Sequence, residues 1–263
     1  MAKTIADRNA SAELGGGMSL MEHLIELRSR MMKCAVAVLV GAVLGWFLYF
    51  PVLDVLMTPL RELSDNPNVS DKFLSQDPLE IFLLRIKLSA YLGLVLAMPF
   101  LLWQLWKFIA PGLYQNERRY ATAFVASATT LFALGAAIAY FTLPQALEFL
   151  QSVGGDDVRY EYSAQKYLML IVYMMVAFGA GFQFPIVVVF LQLVGVVSPQ
   201  QLSQFRRFAI VIVFVVAAII TPSADPISLF ALAIPMTIFY EISILIGRLV
   251  VRSRAKADTA GAG

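Results

Sequence analysis

The chain has 263 residues, of which 59% are apolar and 14% are charged, with a formal net charge of +2. Soluble domains average about 45–50% apolar and about 25% charged residues. The apolar residues lie in long continuous runs separated by short polar stretches, which excludes a soluble enzyme, a disordered chain and a β-barrel of alternating strands. The single cysteine, Cys34, excludes an internal disulfide. The sequence therefore predicts an all-α polytopic membrane protein.

Six transmembrane helices are predicted, in chain order, at residues 32–50, 88–106 (with an extension back to residue 79), 120–143, 167–195, 208–221 and 227–247. The fifth has fourteen residues, about 21 Å of helix, which is short for a hydrocarbon core about 30 Å thick. The flanking segments predict a flexible leader at 1–17, one membrane domain at 18–250 and a disordered cytoplasmic tail at 251–263.

The orientation follows from the Lys and Arg residues in the loops between these spans. Fourteen of them lie on the side that holds both termini and six on the other side. Because basic loops stay inside, both termini of this multi-pass protein are predicted to be cytoplasmic. Acidic residues are few beside the membrane on that side, where only Glu22, Glu26 and Glu117 are close to a span.

Several chemistries lack their required residues. The only histidine, His23, precedes the first span, and the chain has neither an HExxH zinc motif nor a GxxxxGK[ST] phosphate loop. We therefore expect no catalytic residue, no metal and no cofactor. The net charge of +2 gives no indication of nucleic-acid binding, and no nucleic-acid partner is expected.

Residues 18–31 predict an amphipathic helix at the cytoplasmic interface that runs into the first span. Leu20, Leu24, Leu27 and Met31 form an apolar stripe on it, with Glu26 on another face. The modest interpretation is that Glu26 only pairs with Arg30 at i,i+4, which is worth a few tenths of a kcal/mol. A second polar segment, residues 107–119, joins the second and third spans, and its charges are equally compatible with a helix-terminal and topological role.

Two polar side chains lie within the predicted spans. Gln183 precedes Pro185 in the fourth span and is expected to bond a neighbouring helix or to face a groove. Glu241 lies in the sixth span, where a carboxylate costs several kcal/mol unless it is neutral or paired. Gly41 and Gly45 form a GxxxG pair, which is typical of a helix packing surface.

The chain resembles the TatC family, the receptor subunit of the twin-arginine protein translocase, over residues 18–250. The resemblance rests on HLIELRSR at 23–30, FIAPGLYQNERR at 108–119, FQFP at 182–185, and TPSADP at 221–226 followed by AIP at 233–235. It implies a receptor for export signal peptides that carry consecutive arginines. The positions that match the family's signal-binding site and its surroundings are Glu26, Arg28, Phe108, Glu117, Arg118 and Arg119.

The same resemblance extends to positions outside that site. Pro59 matches a proline of the first external loop, and Asp225 lies in the external turn after the fifth span. Gln183 matches a polar groove position, often glutamate in the family, so a proton-linked role there is weakened. The resemblance further implies the single-span partners TatA and TatB, homo-oligomers within the complex, and export driven by the proton gradient.

Two other functions stay open on the residues alone. A proton-coupled secondary transporter would use Glu241 and Gln183 along its path, although no internal repeat of the kind common in transporters is visible. A structural assembly factor would contact no exported chain.

Overall fold

The structure is a computed structural model that describes residues 20–63, 77–109, 121–154 and 163–260. Within these ranges the helices are α1 (Leu20–Phe47), α2 (Tyr49–Leu63), α3 (Pro78–Ile109), α4 (Ala121–Gly154), α5 (Ala164–Gly181), α6 (Phe184–Leu193), α7 (Pro199–Gln204), α8 (Arg206–Ile220) and α9 (Pro226–Ala260). The all-α class predicted from the sequence is confirmed.

Within the described ranges, five segments are long and apolar enough to cross a membrane: Met21–Phe47, Leu79–Phe108, Thr122–Gly154, Ala164–Leu193 and Pro226–Leu249. They carry the first, second, third, fourth and sixth predicted spans. The fifth predicted span corresponds to α8, whose 15 residues reach about 22 Å. Because α8 is shorter than the hydrocarbon core, a sixth crossing stays a prediction.

Two predicted spans differ from the helices that the structure contains. Residues 32–50 were predicted as one helix, but α1 ends at Phe47 and α2 begins at Tyr49, after a bend at Leu48. Residues 167–195 were predicted to be uninterrupted, but a turn at Phe182 and Gln183 separates α5 from α6. The second break has a local cause, because Pro185 has no N–H to donate to the carbonyl of Gly181.

The final helix also differs from the expectation. Residues 251–260, inside the segment predicted to be disordered, continue α9. They contain no proline or glycine and several good helix formers, so nothing in their sequence ends the helix that precedes them.

The core is built around α5, which is buried on most of its circumference. Leu168, Ile171, Met174 and Phe178 are each at most 1% exposed, and they pack with residues of α2, α3, α4 and α9. In contrast, α1 keeps one apolar face uncovered, with Leu39 66% and Phe47 75% exposed. An apolar face of this kind suits a helix in contact with lipid.

Candidate functional site

A close crossing of α1 and α3 brings together the two helix segments that form the candidate site. A Cβ on Gly93 would lie 2.4 Å from the backbone nitrogen of Ala42, and one on Gly41 would lie 2.6 Å from the carbonyl oxygen of Gly93. Only glycine permits so close a backbone approach. The prediction that Gly41 and Gly45 form a packing surface is therefore confirmed.

A polar pocket of about 490 Å³ lies between the same two helices. On α3 it is reached at Gln104, eleven residues or about three turns beyond Gly93. Its lining consists of Glu22, Ile25, Glu26, Ser29, Arg30, Lys33, Gln104 and Lys107. Two carboxylates and three cations thus share one small volume at an end of the apolar bundle, where an ionic ligand can be held by matched charges.

The centre of the pocket is a three-residue hydrogen-bond network. Arg30 donates to Oε1 of Glu26 from Nε at 3.0 Å and from Nη2 at 2.5 Å. Its Nη1 donates to Oε1 of Gln104 at 3.2 Å. The side chains of Arg30 and Glu26 are only 19% and 21% exposed. The modest i,i+4 pair expected from the sequence is therefore present, and Gln104 extends it to a second helix.

The network leaves one oxygen of Glu26 unused. Both bonds from Arg30 reach Oε1, whereas Oε2 is buried and has no hydrogen-bond partner among the residues that the structure describes. An unsatisfied buried acceptor costs about 1–3 kcal/mol. A guanidinium arriving at Oε2 would remove this cost, and charge-assisted bonds of this kind are stronger than neutral ones.

Aromatic side chains flank the pocket along α3. The ring of Phe108 stacks on that of His23, with centroids 4.4 Å apart and planes 21° apart. The ammonium of Lys107 lies 5.2 Å from the ring centroid of Trp103. Phe108, predicted near the site, is therefore held directly against the first turns of α1.

Gln104 and His23 belong to this site but are not among the site residues predicted from the sequence. The available signal for Gln104 was an amide within the otherwise apolar run 88–106. His23 belongs to the HLIELRSR motif, but its stacking partner is 85 positions away in the chain, so the spacing of residues did not predict this contact.

Other predicted site residues do not meet in this pocket. Arg28 is exposed and does not line it, because residues two apart on a helix point in nearly opposite directions. Glu117, Arg118 and Arg119 lie outside the described residues. Leu24 and Met31, part of the predicted apolar stripe, are 58% and 62% exposed, so the face of α1 that meets α3 is the one carrying Glu26 and Arg30.

Gln183 is bonded to a neighbouring helix. Its Nε2 donates to the carbonyl oxygen of Ala128 on α4 at 3.0 Å, and the side chain is half-buried at the α5–α6 break. Of the two interpretations drawn from the sequence, a hydrogen bond to a neighbouring helix therefore describes this contact.

Glu241 is neither isolated nor deeply buried. Its Oε2 lies 2.8 Å from Nη2 of Arg206 at the start of α8, and the two side chains are 39% and 44% exposed. The ion pair offsets the cost that an unpaired carboxylate would carry in the apolar bundle. Glu241, predicted as a polar residue within a span, lies in the candidate span Pro226–Leu249 and forms an interhelical ion pair between α8 and α9.

Pro59 lies within α2 and is buried. It has no N–H, so the carbonyl of Val55, four residues earlier, loses its usual helical donor. The hydroxyl of Tyr140 on α4 donates to that oxygen at 2.8 Å, and the hydroxyl of Tyr167 donates to the next carbonyl, of Leu56, at 3.0 Å. These two tyrosines connect α2 to α4 and α5.

Asp225 is the residue before α9 and is 2% exposed. Its Oδ1 accepts the backbone N–H of Ser228 at 2.7 Å. With Pro226 at the first helical position, this is a helix N-cap, worth about 1 kcal/mol. The contact gives Asp225 a local structural role at the start of α9.

The chemistry available in the pocket is therefore ionic recognition. No group of three or more His, Cys, Asp or Glu side chains that could hold a metal ion is found within the described ranges.

Comparison with known proteins assigns a family to this arrangement. Residues 22–235 match the family model described as "Sec-independent protein translocase protein (TatC)". The chain is 38% identical over 254 residues to a TatC of Halothiobacillus neapolitanus, covering 95% of this chain and 68% of that one. It is 37% identical to a TatC of Aquifex aeolicus, covering 92% of this chain and all of that one.

Solved structures agree with the sequence comparison. A crystal structure of the twin-arginine translocase receptor TatC matches with a TM-score of 0.71 at 38% identity, covering 88% of this chain and 100% of that chain. A second crystal structure of the same receptor, in DDM, matches with a TM-score of 0.73.

Proposed function

The chain belongs to the TatC family of Sec-independent protein translocase proteins, and we propose that it binds the consecutive arginines of export signal peptides through Glu26. The observation that carries this proposal is Oε2 of Glu26, which is buried in the pocket between α1 and α3 and has no partner among the described residues. Arg30 already occupies Oε1, so the pocket holds one guanidinium and has an acceptor for another.

The carboxylate chemistry favours arginine over lysine as the ligand. A guanidinium has five N–H donors in a planar fork that matches a carboxylate, whereas an ammonium acts as a point charge. Glu117 supplies a second carboxylate for the paired arginine in this proposal, with Arg118 and Arg119 beside it and Phe108 at the edge of the pocket. Arg28 contributes from the exposed face of α1, outside the pocket.

The apolar part of the signal peptide has a matching surface nearby. An apolar groove of about 690 Å³ is lined by α2, α3, α4 and α5, with Pro99, Phe132 and Met175 among its walls. Pro99 and Gln104 are five residues apart on α3, about 7.5 Å along the helix. We place the apolar segment in this groove, which reaches Thr129 next to the carbonyl that Gln183 bonds.

The proposed setting follows the family. Both termini face the cytoplasm, six helices cross the inner membrane, and the chain acts without enzymatic chemistry. It assembles with TatA and TatB and with further copies of itself, and the proton gradient drives export of folded proteins.

The test is binding of a labelled twin-arginine signal peptide to the purified full chain in nanodiscs. Glu26→Gln should weaken binding about tenfold, because a hydrogen bond to a charged group contributes about 1.5–3 kcal/mol. Glu241→Gln is the matched control, since it removes the same charge from another Glu–Arg pair and should change affinity less than about twofold. A dilysine peptide should bind the wild-type chain about tenfold more weakly. Unchanged affinity in Glu26→Gln would overturn the proposal.

The secondary-transporter alternative receives little support. Glu241 is paired with Arg206 and Gln183 with the carbonyl of Ala128, so neither side chain is held ready for a substrate. Substrate-dependent proton uptake in vesicles, lost in Glu241→Gln, would revive it. Cross-linking of a signal peptide to the chain would exclude a purely structural assembly role.

A further inference from the structure

A second cavity lies at the other end of the bundle, away from the Glu26 pocket. It measures about 750 Å³ and is bounded by α2 and the first turns of α3, with Ala164 and Leu168 of α5 and the end of α1. On α3, Arg85 in this cavity and Gln104 in the first pocket are 19 residues apart, about 28 Å along the helix. This separation matches the thickness of a hydrocarbon core, so the predicted topology puts Arg85 at the headgroup level of the leaflet opposite the Glu26 pocket.

Arg85 is held in a cage of aromatic rings. Its Cζ lies 4.1 Å from the ring centroid of Trp46, 5.1 Å from that of Tyr49 and 5.2 Å from that of Phe50. Its Nη2 donates to the carbonyl oxygen of Trp46 at 3.3 Å. Stacking and this bond fix the plane of the guanidinium, and aromatic residues of this type are characteristic of membrane interfaces.

The guanidinium of Arg85 keeps an N–H donor that forms no hydrogen bond with the described residues. Its Nε is buried and has no hydrogen-bond partner among the described residues. The other cation of the cavity, Arg61, is paired with Asp54 at 2.8 Å. No carboxylate within the described ranges forms an ion pair with Arg85, so the lining retains one uncompensated positive charge.

The remaining walls are apolar and open to the bilayer. Phe50 is 63%, Phe82 53% and Ile81 41% exposed, and they stand beside Leu53 and Met57 in the lining. A ligand that fits this combination has an anionic oxygen group for Arg85 and a hydrocarbon chain for the walls.

We propose that this cavity is a binding site for an anionic phospholipid, with its phosphate on Arg85 and the start of one acyl chain along Phe50, Ile81 and Phe82. A planar guanidinium that keeps an N–H donor without a partner among the described residues suits a phosphate diester. The bound lipid would join the end of α1 to the start of α3. This inference requires membrane insertion and is independent of the signal-peptide proposal.

Trp46 reports directly on this site. In a Trp103→Phe, Trp106→Phe background it is the only tryptophan of the chain. The protein is reconstituted in vesicles that carry equal mole fractions of phosphatidylglycerol or phosphatidylcholine with brominated acyl chains, and quenching is measured relative to unbrominated vesicles. Brominated phosphatidylglycerol should show about tenfold stronger association with Trp46 than brominated phosphatidylcholine.

Substitutions assign that preference to Arg85. Arg85→Gln should bring the ratio of the two associations close to one, and Arg85→Lys should leave an intermediate preference, because the charge stays and the fork is lost. Lys87→Gln is the matched control on the same helix, and it should keep the wild-type ratio. If Arg85→Gln does not fold, the wild-type ratio and Arg85→Lys still decide.

Three outcomes would overturn the inference. Equal quenching by both lipids would show that anionic charge is not recognised. No quenching by either would indicate a protein segment in the cavity. Displacement of brominated phosphatidylglycerol by millimolar inorganic phosphate would identify free phosphate as the occupant.

Discussion

Two glutamate–arginine pairs in this molecule have similar charges and different consequences. Glu26 and Arg30 lie four residues apart on α1, and their side chains are about one-fifth exposed. Glu241 and Arg206 lie 35 positions apart, join α9 to α8, and are about two-fifths exposed. The first pair lines a pocket and leaves Oε2 of Glu26 without a partner among the described residues, whereas the second pair holds two helices together.

The comparison separates recognition from stability. Unfolded membrane proteins keep much of their helical structure in lipid, so a bond within one helix survives in that state. The Glu26–Arg30 bond then adds little to the free energy that holds the helices together. The Glu241–Arg206 bond is lost when α8 and α9 separate, so it contributes to that free energy directly.

The largest expected effect comes from breaking the helix crossing that supports the Glu26 pocket. Gly93→Ala puts a methyl group within 2.4–2.7 Å of the α1 backbone, and such overpacking should lower the free energy of unfolding by about 2–3 kcal/mol. Denaturant unfolding in micelles, followed by tryptophan fluorescence, measures it.

Gly181→Ala is the matched control for Gly93→Ala. Its new methyl would meet the side-chain end of Leu232 at 3.2 Å rather than backbone, and alanine gains about 1 kcal/mol of helix propensity. Equal losses in the two variants would contradict the special role of the α1–α3 crossing.

Exchanging the members of each pair should give the next largest effect. In the double variant Glu26→Arg, Arg30→Glu the intrahelical pair is kept but reversed, and binding of a twin-arginine peptide should fall about tenfold because the acceptor has moved by one turn. The double variant Arg206→Glu, Glu241→Arg should recover most of the stability lost in either single variant. Retained peptide binding in the first double variant would remove the distinction between the two pairs.

Neutralising the interhelical pair tests the second half of the comparison. Glu241→Gln should lower the free energy of unfolding by about 1 kcal/mol, since a half-exposed pair is strongly screened. Glu26→Gln should cost less than about 0.5 kcal/mol in the same assay, because the bond it removes is intrahelical. A larger loss for Glu26→Gln than for Glu241→Gln would reverse the assignment.

The smallest effect calibrates an uncharged interhelical contact. Gln183→Leu removes the bond to the carbonyl of Ala128 and should cost about 0.6 kcal/mol in the unfolding assay. Gln183→Glu offers a comparison of similar shape, because an ionised carboxylate cannot donate to that carbonyl oxygen. If Gln183→Leu lowered the free energy of unfolding well beyond the loss in Glu241→Gln, the half-buried amide would contribute more to stability than the ion pair.

Periodicity and composition predicted the parts of the fold that depend on local sequence. The long apolar runs predicted the helices, and the four-residue spacing of Gly41 and Gly45 predicted a packing surface that the structure confirms. The breaks were harder to predict. Pro185 lies inside the predicted fourth span, where it was not used to predict a break, and no glycine or proline stands at the bend at Leu48.

The candidate site was predictable only within one helix. The spacing of Glu26 and Arg30 predicted their bond, but the partner of Arg30 on α3 is 74 positions away and that of Glu241 is 35 positions away. Such contacts depend on how helices cross, which the spacing of residues along one helix does not determine. The resemblance to a known family predicted that Glu26 and Phe108, on different helices, belong to the same site, which the periodicity of either segment could not predict.

Pro59 couples the position of α2 to that of α4. Val55 is left with an oxygen that only the hydroxyl of Tyr140 reaches among the described side chains, and such a group is costly to expose to hydrocarbon. Any tilt of α2 away from α4 would therefore leave the carbonyl oxygen of Val55 without its bond to Tyr140. We therefore expect α2 and α4 to move together, so that a displacement of one of these helices displaces the other.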